Sequence, residues 1–293
     1  MNAVRQPAPT GEIILGLPAA AYQQRELGVA TSGQLQMLRT KTPAHHLAWT
    51  KAQDRDTPAT LLGRAYHCRV FEPHVFATSY VAPPKDAPRD LRHLRNAKNK
   101  GEATLESIAW WDAYEERTRG KFVLDADQFQ LIEDMVQGLK ANPLVRALLF
   151  EHEGDNEVTL RWTDEETGVP CKARADRWLR SMRTMVDMKS TEDASEFAFH
   201  RSINTHGYHI QHAHYSAGAA ACGEPLDEFL IVAQEKEAPH LARVFRVGAA
   251  SEQRGFEIRA AGLATLAKCR ASGEWPGYPG ITEIEIPAYA LKD

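Results

Sequence analysis

Apolar positions change their spacing near residue 150, and this divides the chain into two parts of different secondary structure. Before residue 150, apolar side chains such as Phe129, Ile132 and Val136 recur every three or four positions, which is typical of amphipathic helices. The sequence Thr-Ser-Gly at 31–33 favours a capped helix start. Helices are predicted over residues 34–41, 58–70, 102–119 and 125–150.

After residue 155 apolar and polar positions alternate, which indicates half-buried β-strands. Strands are predicted over residues 158–162, 171–179 and 184–189, with a turn at 164–168. An Ala-rich helix at 206–222, strands at 229–233 and 244–247, and a helix at 251–271 complete the order. This order predicts a mixed α/β core in which helices flank a central sheet.

The domain organisation follows from the same patterns. Residues 1–30 are weakly patterned, so we expect them to form a partly ordered lead-in. Residues 31–293 contain no repeat and no low-complexity tract, and we expect a single domain there. Within this domain, residues 31–150 form the mainly helical part and residues 151–293 the sheet core.

Composition argues against some classes of protein. The 293 residues carry 35 Lys and Arg against 39 Asp and Glu, a net charge of −4, which at first argues against a nucleic-acid partner. No apolar run approaches the ~20 residues of a membrane-spanning helix, so no membrane partner is expected. The four cysteines are scattered, which argues against a disulfide framework, a structural zinc or an iron–sulfur cluster. We expect a cytoplasmic protein.

Basic residues are nevertheless concentrated locally, which the net charge does not describe. A Pro-rich stretch at 82–88 leads into a run of arginines and lysines. Such a run is most often a solvated loop, but it also suits a segment that follows DNA phosphates. A second basic group lies on the strand predicted at 171–179. The candidate DNA contacts are Arg89, Arg92, Arg95, Lys98, Arg174 and Arg177.

Two aspartates and a lysine on neighbouring predicted strands are the strongest candidates for catalysis. Asp176 lies on the second strand, and Asp187 and Lys189 lie on the third. Adjacent strands are about 4.8 Å apart, so the carboxylates can meet, and alternation places residues 187 and 189 on one face. Paired carboxylates suit Mg²⁺ or Mn²⁺, and a nearby lysine can orient or deprotonate water. Metal-assisted phosphodiester hydrolysis requires both.

Taken alone, this D-x(10)-D-x-K spacing is a weak signal, because charged strand ends are common at protein surfaces. Two further motifs strengthen it. His67 ends a GRAYH sequence on the helix predicted at 58–70, and Gln211 and Tyr215 lie four positions apart on the helix after the lysine. Five histidines between residues 200 and 214 raise a zinc alternative, but they lack supporting carboxylate or cysteine ligands. Phosphate contact or surface placement is the favoured interpretation of these histidines.

The order of these motifs resembles the PD-(D/E)XK nuclease superfamily, in its RecB-type branch. Within it, CKARAD at 171–176, VDMKST at 186–191 and GEWPGY at 273–278 are similar to the RecE or exonuclease VIII-like family of phages and prophages. The resemblance runs from about residue 31 to the C-terminus, and Ala175 stands where the superfamily name has proline. The residues that carry it are His67, Asp176, Asp187, Lys189, Gln211 and Tyr215.

The resemblance implies a restriction-endonuclease-like fold and a role for each matching residue. His67, Asp176 and Asp187 would bind the metal, together with the Met188 carbonyl. Glu157 is a candidate ligand for a second metal position. Lys189 would position or activate the attacking water, while Gln211 and Tyr215 would hold this lysine or the DNA backbone.

The activity that the resemblance implies is a Mg²⁺-dependent exodeoxyribonuclease using one or two ions, with Mn²⁺ as a substitute. It would digest linear double-stranded DNA 5′→3′ and leave 3′ single strands. The resemblance also implies a ring-shaped homo-oligomer, a trimer or tetramer, and a single-strand annealing protein as recombination partner. Two alternatives stay open: a RecB-type endonuclease or single-strand nuclease, and a catalytically silent DNA-binding protein on the same fold.

Overall fold

The computed structural model describes residues 10–52 and 57–286, which fold around a six-stranded sheet. Residues 1–9 of the expected lead-in and residues 287–293 of the expected domain lie outside the described residues. The strands are β1 (Gly11–Ile14), β2 (Tyr80–Val81), β3 (Phe122–Val123), β4 (Asp155–Thr163), β5 (Pro170–Leu179), β6 (Thr184–Thr191), β7 (Glu228–Glu235) and β8 (Ala242–Arg246).

Helices cover both faces of this sheet. They are α1 (Ala19–Tyr22), α2 (Ser32–Thr40), α3 (Pro43–Lys51), α4 (Pro58–Phe71), α5 (Pro73–Ser79), α6 (Glu102–Arg117), α7 (Ala126–Ala141), α8 (Pro143–Arg146), α9 (Glu196–His206), α10 (Tyr208–Ala221) and α11 (Ala249–Ser272). Within the described ranges, none of these helices combines the length and apolar character needed to cross a membrane.

The strands of the main sheet lie in the order β1-β4-β5-β6-β7-β8. All neighbours pair antiparallel except β6 and β7, which run parallel. A parallel pair needs a crossover connection, and α9 and α10 supply it. A two-stranded parallel sheet, β2 and β3, lies apart from the main one. The predicted mixed sheet with flanking helices is therefore confirmed.

Local capping explains where several helices begin and end. The Thr31 side chain accepts from the Gln34 amide while Gln34 bonds back to the Thr31 amide, which forms a capping box at the start of α2. The helix predicted over 125–150 is divided at Asn142, because Pro143 cannot continue it and Asn142 caps α8 instead. The helix predicted from residue 206 begins at Tyr208, because Gly207 has φ 71° and separates it from α9.

The described part of the expected lead-in belongs to the sheet. β1 pairs with β4 over its whole length, and the Ala30 amide donates to the Pro170 carbonyl. The buried Lys172 ammonium donates to the Tyr22 and Gln24 carbonyls. β1 was not predicted from the sequence, because the strand is short and lies at the edge of the sheet. Residues 10–30 are thus tied to the strands that carry the candidate catalytic residues.

Two hydrophobic cores lie on opposite faces of the sheet. Strand alternation sends Met185 and Ile231 to the core formed with α2, α10 and α11. Their neighbours Val186 and Val232 face the core formed with α4, α5, α7 and α8. Because both faces are covered, a functional side chain on the inner strands reaches solvent only where the sheet itself opens.

Candidate active site

The sheet opens between β5 and β6. These strands pair over only three positions, from Arg177 opposite Val186 to Leu179 opposite Thr184. Beyond that point β5 stays paired with β4, and β6 stays paired with β7 to its end. Asp176 and Asp187 are the first residues past the paired part, so the candidate catalytic carboxylates lie where the strands separate.

Three side chains from three elements meet at this opening. His67 comes from α4, Glu157 from β4 and Asp176 from β5, and one ligand atom of each lies within 4.8 Å of the others. The His67 Nδ1 atom is 3.6 Å from Asp176 Oδ2. This is the one group of three or more His, Cys, Asp or Glu ligands found in residues 10–52 and 57–286. Two carboxylates and an imidazole are a donor set that Mg²⁺ or Mn²⁺ accepts.

The Glu157 backbone is irregular at the point where its carboxylate joins this group. Glu157 has φ 52°, in the left-handed region that costs a non-glycine residue about 1–2 kcal/mol. Its neighbours pair regularly with β5, as Asn156 does with Arg177 and Val158 with Ala175. The irregularity is therefore confined to the residue that faces Asp176 across the ladder.

The electrostatics of the group favour a bound cation. Burial raises the pKa of Asp176 to about 7, and the neighbouring Asp187 carboxylate adds to the shift. Burial also raises the pKa of Glu157 to about 7, with a further contribution from Asp176. Burial and the Lys189 charge lower the pKa of His67, which keeps its imidazole neutral and able to coordinate. The crowded carboxylates and the neutral histidine fit a divalent metal.

Asp187, which the resemblance implies as a further metal ligand, lies beside the three-residue group and is held by two other side chains. Its Oδ2 atom is 2.7 Å from the Lys189 Nζ, and its Oδ1 accepts from Gln211 Nε2 at 2.5 Å. Burial alone would lower the pKa of Lys189, but the Asp187 and Asp176 carboxylates outweigh it and raise this pKa. Lys189 is thus a protonated donor next to the metal group, and Asp187 orients it.

Hydrogen bonds from β6 and α10 fix the edges of the opening. The Met188 amide donates to Asp176 Oδ2 at 2.7 Å. Because the N–H and C=O of one strand residue point to the same side, the Met188 carbonyl also faces β5. The Tyr215 hydroxyl donates to the Arg174 carbonyl at 2.8 Å, so α10 holds β5 through Tyr215 and β6 through Gln211.

Two aromatic residues that lie near the site were not predicted from the sequence. The Tyr208 ring lies 5.3 Å from the Lys189 Nζ, and its position three residues before Gln211 on the same helix was the available signal. Tyr22 packs over Lys172 and Arg174 beside the Glu157 carboxylate. Nothing in the local sequence around Tyr22 indicates this, because its neighbours come from β5.

The prediction that Arg174 and Arg177 contact DNA is corrected by their positions. Both side chains are buried. Arg174 forms an ion pair with Glu157 and donates to the Leu17 carbonyl. Arg177 donates to Asn156 Oδ1 and to the carbonyls of Leu148 and His152. Both faces of the sheet are covered, so these guanidinium groups are buried, and they hold neighbouring elements.

The basic run at 89–98 divides into paired and exposed residues. Arg92 binds Asp90 and Glu115, and Arg95 binds Asp112, so both charges are compensated locally. The Arg89 and Lys98 side chains are exposed, and no ion pair is seen between them and the described residues. These two remain candidates for phosphate contact.

The histidines at 200–214 do not gather around one point. His209 is buried with Nδ1 3.1 Å from the Ile203 carbonyl, and His214 is buried with Nε2 3.2 Å from the Lys172 carbonyl. His212 stacks on Phe229. The expectation of surface placement is therefore wrong for His209 and His214, which pack within the protein.

Comparison with known proteins agrees with this geometry. Residues 32–286 match the family described as a PDDEXK-like domain of unknown function, and no curated protein matches the chain. A crystal structure of a protein from Eubacterium rectale, named "Putative exonuclease", is similar with a TM-score of 0.59 and 12% identity, over 95% of this chain and 98% of that one. At 12% identity, this similarity shows a shared fold only. A structure of SSO0001 has 13% identity over 74% of this chain and 86% of its own, with a TM-score of 0.29.

Proposed function

Because the chain belongs to the family of PDDEXK-like domains, we propose that it is a metal-dependent nuclease that hydrolyses DNA phosphodiesters. More finely, we propose a Mg²⁺-dependent exodeoxyribonuclease that degrades linear double-stranded DNA 5′→3′ and leaves 3′ single strands. The observation that carries the proposal is the cluster of His67, Glu157 and Asp176 in the sheet opening, with the Lys189 ammonium beside it.

The residues at the sheet opening have separate roles in the proposed hydrolysis. His67, Glu157 and Asp176 would hold the metal, which supplies Lewis-acid polarisation of the phosphodiester and charge stabilisation when bound. Lys189 donates a hydrogen bond that positions the attacking water or a phosphate oxygen. Asp187 fixes the lysine through the 2.7 Å ion pair, and Gln211 fixes the aspartate.

The test uses a linear duplex labelled at either its 5′ or its 3′ ends, incubated with purified protein and Mg²⁺. We expect early release of 5′ label, retention of 3′ label, and no reaction in EDTA. Lys189→Ala should keep the fold, checked by circular dichroism, and lower turnover at least ~100-fold. Lys268→Ala, on the exposed face of α11, is the matched control and should leave turnover unchanged.

Each other outcome assigns a different function. Cleavage of closed circular DNA would make the protein an endonuclease, and preference for unpaired substrate would make it a single-strand nuclease. Binding of duplex in a mobility-shift assay, with no product at any metal concentration, would indicate a catalytically silent DNA-binding protein. Early release of 3′ label alone would reverse the proposed polarity.

The wider setting of the activity is part of the proposal. Single strands with 3′ ends are substrates for annealing, so we propose that a single-strand annealing protein receives the product in the cytoplasm of the bacterial host. A purified single-strand annealing protein should be pulled down by this protein. If it is still pulled down after nuclease treatment to remove bridging DNA, that result would support a direct contact.

A further inference from the structure

The Lys189 ammonium has two neighbours of different chemical kinds. Asp187 Oδ2 lies 2.7 Å from Nζ, and the centre of the Tyr208 ring lies 5.3 Å from the same atom. A cation within about 6 Å of a ring centre is attracted by the π electrons of the ring. The lysine side chain is 23% exposed, so it is partly removed from the water that would weaken this attraction. Tyr208 is therefore a second attractive contact for the lysine.

The two contacts differ in what else they bind. The Asp187 carboxylate also accepts a hydrogen bond from Gln211, and the sequence resemblance implies that it is a metal ligand. Lys189 therefore shares this carboxylate with other groups. No hydrogen bond is seen between the Tyr208 hydroxyl and the described residues. The aromatic ring is thus the part of Tyr208 that interacts with the lysine.

The Tyr208 ring is itself held by neighbouring rings. Phe199 and His206 lie nearly parallel to it, at centroid distances of 5.7 and 5.4 Å and interplanar angles of 25° and 23°. Phe199 stacks in turn on Phe245 of β8, with 4.2 Å between the two centroids. Stacking of this kind favours one orientation of a ring over others. The orientation of the Tyr208 ring is therefore fixed by the protein itself.

The backbone places Tyr208 at the start of α10. Gly207 has φ 71°, a left-handed conformation that residues other than glycine rarely adopt, and it separates α9 from α10. Tyr208, Gln211 and Tyr215 follow at positions i, i+3 and i+7, which lie on one face of a helix. That face contacts Asp187 through Gln211 and β5 through Tyr215. Tyr208 adds a direct contact between the same face and the lysine.

We propose that Tyr208 is a positioning residue, whose ring holds the Lys189 ammonium at the sheet opening. The inference rests on the nuclease activity proposed above, in which this lysine positions the attacking water or a phosphate oxygen. Tyr208 acts through the lysine and does not touch the substrate. Removal of its ring should therefore slow turnover and leave substrate binding nearly unchanged.

A double-mutant cycle of folding stability in EDTA tests the contact without any nuclease assay. Unfolding by urea is followed for wild type, Tyr208→Leu, Lys189→Met and the double variant. We expect Tyr208→Leu to raise the unfolding equilibrium constant about 5- to 30-fold more in chains with Lys189 than in chains with Lys189→Met. Phe129→Leu, which removes a half-buried ring packed on Phe76 in the core on the opposite face of the sheet, is the matched control. It should raise the unfolding equilibrium constant equally in both backgrounds.

Steady-state kinetics on linear duplex separate positioning from other roles. Tyr208→Leu should lower kcat about 5- to 30-fold and change KM by less than about 2-fold, whereas Tyr208→Phe, which keeps the ring, should retain most of kcat. In a Lys189→Ala chain, Tyr208→Leu should lower the residual kcat no further, because the group that the ring positions is gone. Phe129→Leu should leave kcat and KM unchanged.

Three results would overturn the proposal. Equal costs of Tyr208→Leu with and without Lys189 in the stability cycle would show that the ring does not hold the lysine. Equal losses of kcat in Tyr208→Phe and Tyr208→Leu would assign the effect to the hydroxyl, and a rise in KM alone would assign it to substrate binding. Absence of any nuclease activity would contradict the proposed function instead, and the stability cycle would still decide whether Tyr208 holds the lysine.

Discussion

At the scale of the residue, the candidate site places several ionisable groups in a poorly solvated space. Asp176 and Glu157 each have a pKa of about 7 in the absence of a metal. Their ionised forms are therefore less favourable in the folded protein than in the unfolded chain. The two carboxylates therefore lower the stability of the folded protein, and a bound cation would restore that stability.

This cost can be measured by comparing wild type with Asp176→Asn in EDTA. A carboxyl whose pKa is raised by folding destabilises the protein progressively as the pH rises from its unfolded value, 3.8, to its folded value, about 7. We expect the variant to be more stable than wild type at pH 8 by about 1–3 kcal/mol, and nearly equal to it at pH 4. Thermal melts at the two pH values measure the difference.

Two controls accompany that comparison. Asp86→Asn, at an exposed acid, should give no pH-dependent difference. Mg²⁺ should raise the melting temperature of wild type at pH 8 more than that of Asp176→Asn. If Asp176→Asn is destabilised equally at both pH values, the carboxylate is a structural group and the crowding argument fails.

At the scale of the element, α10 holds together two strands that scarcely pair with each other. Gln211 reaches Asp187 on β6, and Tyr215 reaches the Arg174 carbonyl on β5. The two side chains lie on one face of the helix, since four residues are about one turn. The helix therefore sets the position of both strands at the opening.

Tyr215→Phe tests this role, because it removes one hydroxyl and leaves the ring in place. The buried Arg174 carbonyl would lose its donor, at a cost of about 1–2 kcal/mol, and we expect the melting temperature to fall by roughly 2–6 °C. Tyr114→Phe is the matched control, because the buried Tyr114 hydroxyl has no hydrogen-bond partner among the described residues. Equal losses in the two variants would contradict the proposed role of Tyr215.

At the scale of the whole molecule, charge is arranged to be locally neutral. Most arginines near the sheet opening or on the loop before α6 bind a carboxylate, which agrees with the net charge of −4. Attraction to a polyanion then depends on a few exposed basic residues. Arg89 and Lys98 are two of these.

The salt dependence of duplex binding measures that contribution. In EDTA, where no hydrolysis occurs, Arg89→Ala with Lys98→Ala should weaken binding and lower the slope of log K against log salt by about 2. Lys51→Ala with Lys268→Ala changes the net charge equally at exposed positions elsewhere and should leave the slope unchanged. A slope that falls equally in both variants would show that only total charge matters.

The sequence patterns correctly predicted structural features that depend on residues close together in the chain. The capping box at Thr31 and the alternation in β5 and β6 are local, and the structure has α2 and both strands where these patterns place them. The motif spacing also identified the PD-(D/E)XK fold. These features follow from backbone geometry and from residues a few positions apart.

Features that depend on distant residues were not predictable in this way. Arg174 and Arg177 are buried because carbonyls of Leu17 and Leu148, far away in the chain, accept from them. Glu157, expected only at a second metal position, lies in the ligand group itself, and its left-handed backbone was not expected. No periodicity reports such a backbone, and glutamate is not a residue that favours it.

The separation of β5 from β6 also has a mechanical consequence. One half of the sheet carries Glu157 and Asp176, the other half carries Asp187 and Lys189, and three residue pairs join them directly. Because only these three backbone pairs join the halves in the ladder, a small change in the relative twist of the halves would move Lys189 against the metal ligands. We therefore expect substitutions at these pairs, such as Trp178 opposite Met185, to change nuclease activity without altering any group that performs the chemistry.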